Sequence, residues 1–127
     1  MNDLTGTNKT EREKPITTHR LKAGGERKLL SLLGFAARAR KLIAGSDLTR
    51  DGIRRGSVLV AVIASDAAEN TRKRITDAGA YYDVDILLTD IKSGDLGHQI
   101  GKSGSTAVIG ITDMSFAKGI MALFDEN

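Results

Sequence analysis

The chain has 127 residues, 40% of them hydrophobic and 28% charged, with no cysteine, no tryptophan and a net charge of +3. This suits one compact domain with an aliphatic core, and it excludes disulfides, thiolate metal sites and a cysteine nucleophile together. No apolar run approaches the ~18–20 residues of a membrane span, and the start MNDLTGTNKTEREKP lacks a secretory pattern, so a cytoplasmic location without a membrane partner is expected.

In chain order, residues 1–24 are polar and show no sustained apolar period, which predicts a flexible tail ahead of a domain spanning 25–127. ERKLLSLLGFAARARKLIAG then sets Leu29, Leu30, Leu32, Leu33, Ala36, Ala37 and Leu42 near helical spacing. An amphipathic helix ending near Lys41 is expected, with RKLI able to add a short strand. GSDLTRDGIRRG follows, and its start and stop signals agree on a short second helix. Ser46 is placed to cap it, Asp47 to sit at the positive end of its dipole, Arg54 and Arg55 in its last turn, and Gly56 beyond. Leu48, Gly52 and Ile53 are expected to pack on the sheet.

The second half has a rhythm. VLVAVIASD, VDILLTD and AVIGITD are three apolar runs, each closing on Ser or Thr followed by Asp and each leading into a helical stretch. The helices are expected near 67–78, 93–100 and 115–124, with Asp66 and Glu69 forming a capping box and Gly79 a stop. Apolar strands alternating with helices imply a sheet covered on both faces, hence a three-layer α/β/α sandwich.

The basic charge is clustered. Residues 20–55 hold ten basic side chains against three acidic ones, a net +7, whereas residues 56–127 carry a net −4. Such a segment attracts polyanions through counterion release whatever their sequence. A solvated basic helix face is the bland alternative.

Several motifs admit sharper readings. GHQIGKSGST resembles a phosphate-binding loop, but the required first glycine would be residue 96, which is Leu96, and the strand and helix come in the wrong order. The loop still offers backbone donors and Lys102 to a phosphate. Asp66, Asp90 and Asp113 close the three strands and could hold Mg²⁺ for phosphate chemistry or cap the helices that follow, and the regular pattern favours caps. His19 and His98 have no neighbouring nitrogen ligand, so no metal or other cofactor is expected. Tyr81 and Tyr82 could stack on bases or sit at a core edge or turn. Asp47 and Asp51 share a helix face, but an arginine-rich surface helix offers no cleft to split their pKa values for acid–base work. Its open N-terminus behind Gly45 suits a phosphate or a base edge instead.

Taken together, LLGFAARARKLIAGSDLTRDGIRRGSVLVAVIASDAAENTRKRI, the LG and GK of 96–102, and AVIGITD resemble the ribosomal protein L-seven-Ae / L-thirty-e superfamily of kink-turn RNA-binding proteins, in its bacterial YlxQ-like branch. The resemblance implies an α/β/α sandwich with a central mixed sheet of about four strands, no enzyme activity, and structured RNA as partner, ribosomal RNA or a ribonucleoprotein included. It also implies that the start of one helix, here Gly45, Ser46 and Asp47 onward to Asp51, docks on a kinked stem while the loop Ser103, Gly104, Ser105 and Thr106 holds a flipped-out nucleotide. At Leu48 and Asp51 the strongest kink-turn readers carry Glu and Lys. The expected preference is therefore altered or relaxed, with Arg38, Arg40, Lys41, Arg50, Arg54 and Lys102 supplying general attraction. The alternatives are a protein-interaction module that has lost RNA binding and a Mg²⁺-dependent phosphate-handling enzyme.

Overall fold

The computed structural model describes residues 17–125. Its elements are β1 (Thr18–Arg20), α1 (Glu26–Arg38), β2 (Leu42–Ala44), α2 (Ser46–Arg55), β3 (Val60–Ile63), α3 (Glu69–Tyr82), β4 (Asp85–Leu88), α4 (Ser93–Gln99), β5 (Val108–Ile111) and α5 (Met114–Met121). They form a five-stranded sheet in the order β1-β4-β3-β5-β2. β4 is parallel to both β1 and β3, and β5 is antiparallel to both β3 and β2, so the sheet is mixed as expected.

The central strands are buried on both faces because side chains alternate across the pleat. Val60 and Val62 join Leu29, Leu33, Leu96, Ile109 and Ile120 in one core cluster, under α1, α4 and α5. Ala61 and Ile63 join Ile53, Ile75, Ile86 and Val108 in the other, under α2 and α3. This is the expected three-layer α/β/α sandwich. Among the described residues no helix is long and apolar enough to cross a membrane.

The sheet has one strand more than the resemblance implied, and the extra one comes from the end of the expected polar tail. Thr18–Arg20 pairs in parallel with Ile86–Leu88, and Leu21 bridges to Phe124. A polar Thr-His-Arg triplet has no apolar signature, yet His19 is buried and its Nε2 lies 2.8 Å from Asp85 Oδ1. The remainder of that expected tail, residues 1–16, lies outside the described residues.

Helix boundaries shift for local reasons. α1 stops at Arg38, before the expected Lys41, because Arg40 adopts a left-handed conformation with φ of 60°. The Lys41 N–H then bonds Ala36 O and the Arg40 N–H bonds Ala37 O, the pairing of a Schellman motif. α3 begins at Glu69 and runs past Gly79, so the expected capping box and stop are absent. Gly79 serves packing instead, since a Cβ there would lie 2.4 Å from Ile86 Cγ1. α5 ends at Met121, short of Phe124.

Candidate functional site

The antiparallel pairing of β2 with β5 sets Ala44 opposite Ile109. The end of β2 and the start of β5 therefore meet at one end of the sheet. Gly45 donates its N–H to Val108 O at 2.8 Å and turns the chain into α2 with φ 113° and ψ 146°, a combination that side-chain-bearing residues avoid. Because the residue at the helix cap is this glycine, Ser46 becomes the first helical residue, and no side chain caps α2. That corrects the cap expected of Ser46. It leaves the N–H groups of the first turn open, as every uncapped helix start does.

The loop between α4 and β5 reaches the same sheet end. Lys102 N–H bonds Gly97 O at 2.8 Å and Thr106 N–H bonds Ser93 O at 2.9 Å, while Lys102, Ser103, Gly104 and Ser105 are exposed. The loop lies so close to α4 that a Cβ on Gly97 would stand 2.0 Å from Gly104 O. Gly101-Lys102-Ser103 follows a helix and precedes a strand, the reverse of a phosphate-binding loop's context.

Residues 27–120 match the model of the ribosomal protein L7Ae/L30e/S12e/Gadd45 family. The chain belongs to this family. Two bacterial relatives are both named RNA-binding protein YlxQ. One from Enterococcus faecium is 36% identical over 80% of this chain and 96% of its own length. The other, from Bacillus subtilis (strain 168), is 37% identical over 74% of this chain and 92% of its own length. Among solved structures, a protein with unknown function from Bacillus halodurans C superposes with a TM-score of 0.71 at 35% identity, covering 76% of this chain and 95% of its own. The Giardia lamblia 15.5kD RNA binding protein gives a TM-score of 0.67 at 18% identity over 80% of this chain and 86% of its own, and it supports the fold.

Within this member of the L7Ae/L30e/S12e/Gadd45 family, the sequence-derived residues fall into three groups. Gly45, Ser46 and Asp47 at the start of α2 share a sheet end with the loop from Lys102 to Ser105. Arg50 and Arg54 continue along the exposed side of α2 and line a groove against α3. Arg38 lies 5.0 Å from the Phe35 ring centroid and lines a cleft with Gly101, whereas Arg40 and Lys41 stand at the start of β2, the other end of that strand from Gly45.

Acidic neighbours moderate this charge. Asp51 bonds Arg54 and lies 2.9 Å from the Arg55 guanidinium, and Asp47 lies 3.4 Å from Arg74. All of these pairs are exposed, so each contributes only about 0–1 kcal/mol and yields readily to a phosphate.

Of the three expected aspartate caps one stands and two do not, and the expected packing of Leu48 also needs correction. Asp66, Asp90 and Asp113 do not converge, because β5 runs opposite to β3 and β4 and carries Asp113 to the far end of the sheet. Among the described residues no three acids or histidines are arranged to hold a metal ion. Only Asp113 caps its own helix, accepting from Phe116 N–H at 3.1 Å. Asp66 instead accepts from the first N–H of α4, that of Ser93, at 2.8 Å and from its hydroxyl at 3.1 Å. The Ser93 backbone bond lowers the Asp66 pKa against a smaller opposing desolvation effect, with the Ser93 hydroxyl adding to the lowering.

Leu48 is 63% exposed rather than packed on the sheet, and Thr49 takes the inward position with Gly52 and Ile53. Spacing held the answer here: 49, 52 and 53 follow the i, i+3, i+4 pattern of one buried stripe. Tyr81, 81% exposed, and Tyr82 are surface residues in the last turn of α3, next to the left-handed Asp83, and not a core edge. Arg74 drew no attention in the sequence because its link to Asp47 spans 27 positions.

Proposed function

We propose that the chain is an RNA-binding protein without enzymatic activity, gripping structured RNA with the start of α2 and the Lys102–Ser105 loop. The observation that carries this reading is the Gly45–Val108 hydrogen bond, which fixes an uncapped helix start beside an exposed, donor-rich loop. Open helix N–H groups favour phosphates and acceptors, and loop backbone and Lys102 add further donors. Family membership and the names of the relatives at 36% and 37% identity support it.

The side chains of the first turns argue for a relaxed RNA preference. Leu48 offers a base no hydrogen-bond acceptor, and Asp51 is an anion engaged with Arg54 and Arg55. Arg38, Arg40, Lys41, Arg50 and Arg54 provide attraction that carries no sequence information. A kinked stem, whose opened bases expose edges that a regular A-form duplex hides, is the best substrate class.

Fluorescence anisotropy with a kink-turn RNA, the same RNA with its G·A pairs disrupted, and a plain duplex tests this. We expect micromolar or tighter binding to the kinked RNA, a difference of less than about tenfold on G·A disruption, and a linear fall of log affinity with log salt. Absence of binding to every RNA at low salt would refute the proposal.

A further inference from the structure

We infer that the groove between α2 and α3 is a second RNA subsite, which takes unpaired nucleotides flanking the structured element; this rests on the reading above. The groove encloses about 480 Å³ and is lined by Arg50, Arg54, Arg74, Asp77 and the adjacent Tyr81 and Tyr82. That volume is within the range of small-molecule sites, ~300–1,000 Å³, so a nucleotide can lie in it.

Its chemistry matches an unpaired strand at each point. Tyr81 and Tyr82 hold their rings edge to face, with centroids 4.7 Å apart and planes 74° apart. Each ring steadies the other, and Tyr81 is 81% exposed, which leaves aromatic surface for a base to stack on. Three arginines supply the cations. Arg54 and Arg74 are held in exposed pairs with Asp51 and Asp47, which a phosphate can displace, and Arg50 makes no ion pair among the described residues. Asp77 lies 3.0 Å from Lys73, and its second oxygen can accept from an exocyclic amine.

The groove is also continuous with the first site. Asp47, in the first turn of α2, reaches Arg74, and the same side of α3 continues from Arg74 to Tyr81, about 10 Å along the helix at 1.5 Å per residue. A strand leaving the start of α2 meets Arg74 first and the tyrosines last.

The two tyrosines are the only ones in the chain, and there is no tryptophan, so intrinsic tyrosine fluorescence reports on this groove. The test compares a blunt kinked RNA with the same RNA carrying a four-nucleotide single-stranded overhang, against the full chain, by anisotropy and by tyrosine fluorescence. The overhang is expected to tighten binding at least about fivefold and to quench the tyrosine emission, from the strength of base–aromatic stacking. Tyr81→Ala should abolish that gain while leaving blunt-RNA affinity within about twofold, and Tyr81→Phe should keep it. Blunt RNA that binds with no gain from either a 5′ or a 3′ overhang, or a gain that survives Tyr81→Ala, overturns the inference and leaves the first reading standing. No binding of any RNA overturns both. If Tyr81→Ala changes the protein's association state in solution and not its RNA affinity, the groove faces protein and the inference fails.

Discussion

Arg40 holds a conformation that favours glycine, with φ of 60° at the end of α1. A left-handed conformation costs a side-chain-bearing residue about 1–2 kcal/mol, and Arg40 is exposed. Arg40→Gly should therefore raise stability by up to about 1 kcal/mol in thermal or denaturant unfolding, after the entropy glycine loses on folding. If Arg40 also attracts RNA, the same variant binds RNA more weakly although it is more stable, a combination that general damage to the fold cannot produce. A loss of stability would show that the arginine side chain makes a compensating interaction. Gly97 carries the converse requirement. Gly97→Ala puts a methyl group onto Gly104 O and must push the loop away from α4. Since overpacking costs about 1–3 kcal/mol, a moderate drop in unfolding temperature is expected, together with a disproportionate loss of RNA affinity. Unchanged affinity would remove the loop from the interface. Neither position was legible in the sequence. The left-handed residue is not a glycine, and the close approach of Gly97 depends on a loop returning from seven residues away.

At the scale of elements, the sequence revealed most where a run was apolar and periodic. β3, β4 and β5 and the helices between them fall where the alternation of apolar runs and helical stretches puts them, within a few residues. The start and stop of α2 were legible because glycines bound it on both sides, although the cap belongs to Gly45 and not Ser46. β1 was hidden because its worth lies in partners far along the chain: His19 touches Asp85 and the carbonyl of Asp125. Asp66 was misread for the same reason, since it serves α4 across the sheet end and not the helix that follows it. Its lowered pKa gives this link a pH signature. A carboxyl depressed by folding contributes stability that is fully present above its unfolded pKa, near 3.9, and is lost as pH falls through the lower folded value. Asp66→Asn should then melt below the parent protein at pH 7, with the difference shrinking below about pH 4. An equal difference at pH 2 and pH 7 would mean that the carboxylate charge has no part in holding α4.

For the molecule as a whole, strand order converts a linear charge pattern into a polarity of shape. β2 is one edge of the sheet, with the end of α1 on one face and α2 on the other. Arg38, Arg40 and Lys41 accordingly lie near that edge, while Arg50 and Arg54 face from α2 toward Arg74 on α3. β1 and β4 form the other side, where Asp83, Asp85 and Asp90 lie alongside Arg20. The excess of +7 in residues 20–55 was visible in the sequence because those residues are contiguous. The α2–α3 groove was not, because Arg74, Tyr81 and Tyr82 join Arg50 and Arg54 only once two helices separated by β3 lie side by side. The family resemblance supplied the joining of α2's start to the loop before β5. The structure adds its physical basis, an antiparallel edge pair that brings residues 45 and 108 within hydrogen-bond distance.

The proposed function puts RNA at the start of α2 and at the Lys102–Ser105 loop. Following backbone amide resonances while a kinked RNA is added tests it directly. The largest changes are expected on residues 45–51 and 101–106, with the β1–β4 side nearly silent. Changes concentrated on β1, β4 or α5, with residues 45–51 and 101–106 unmoved, would contradict it.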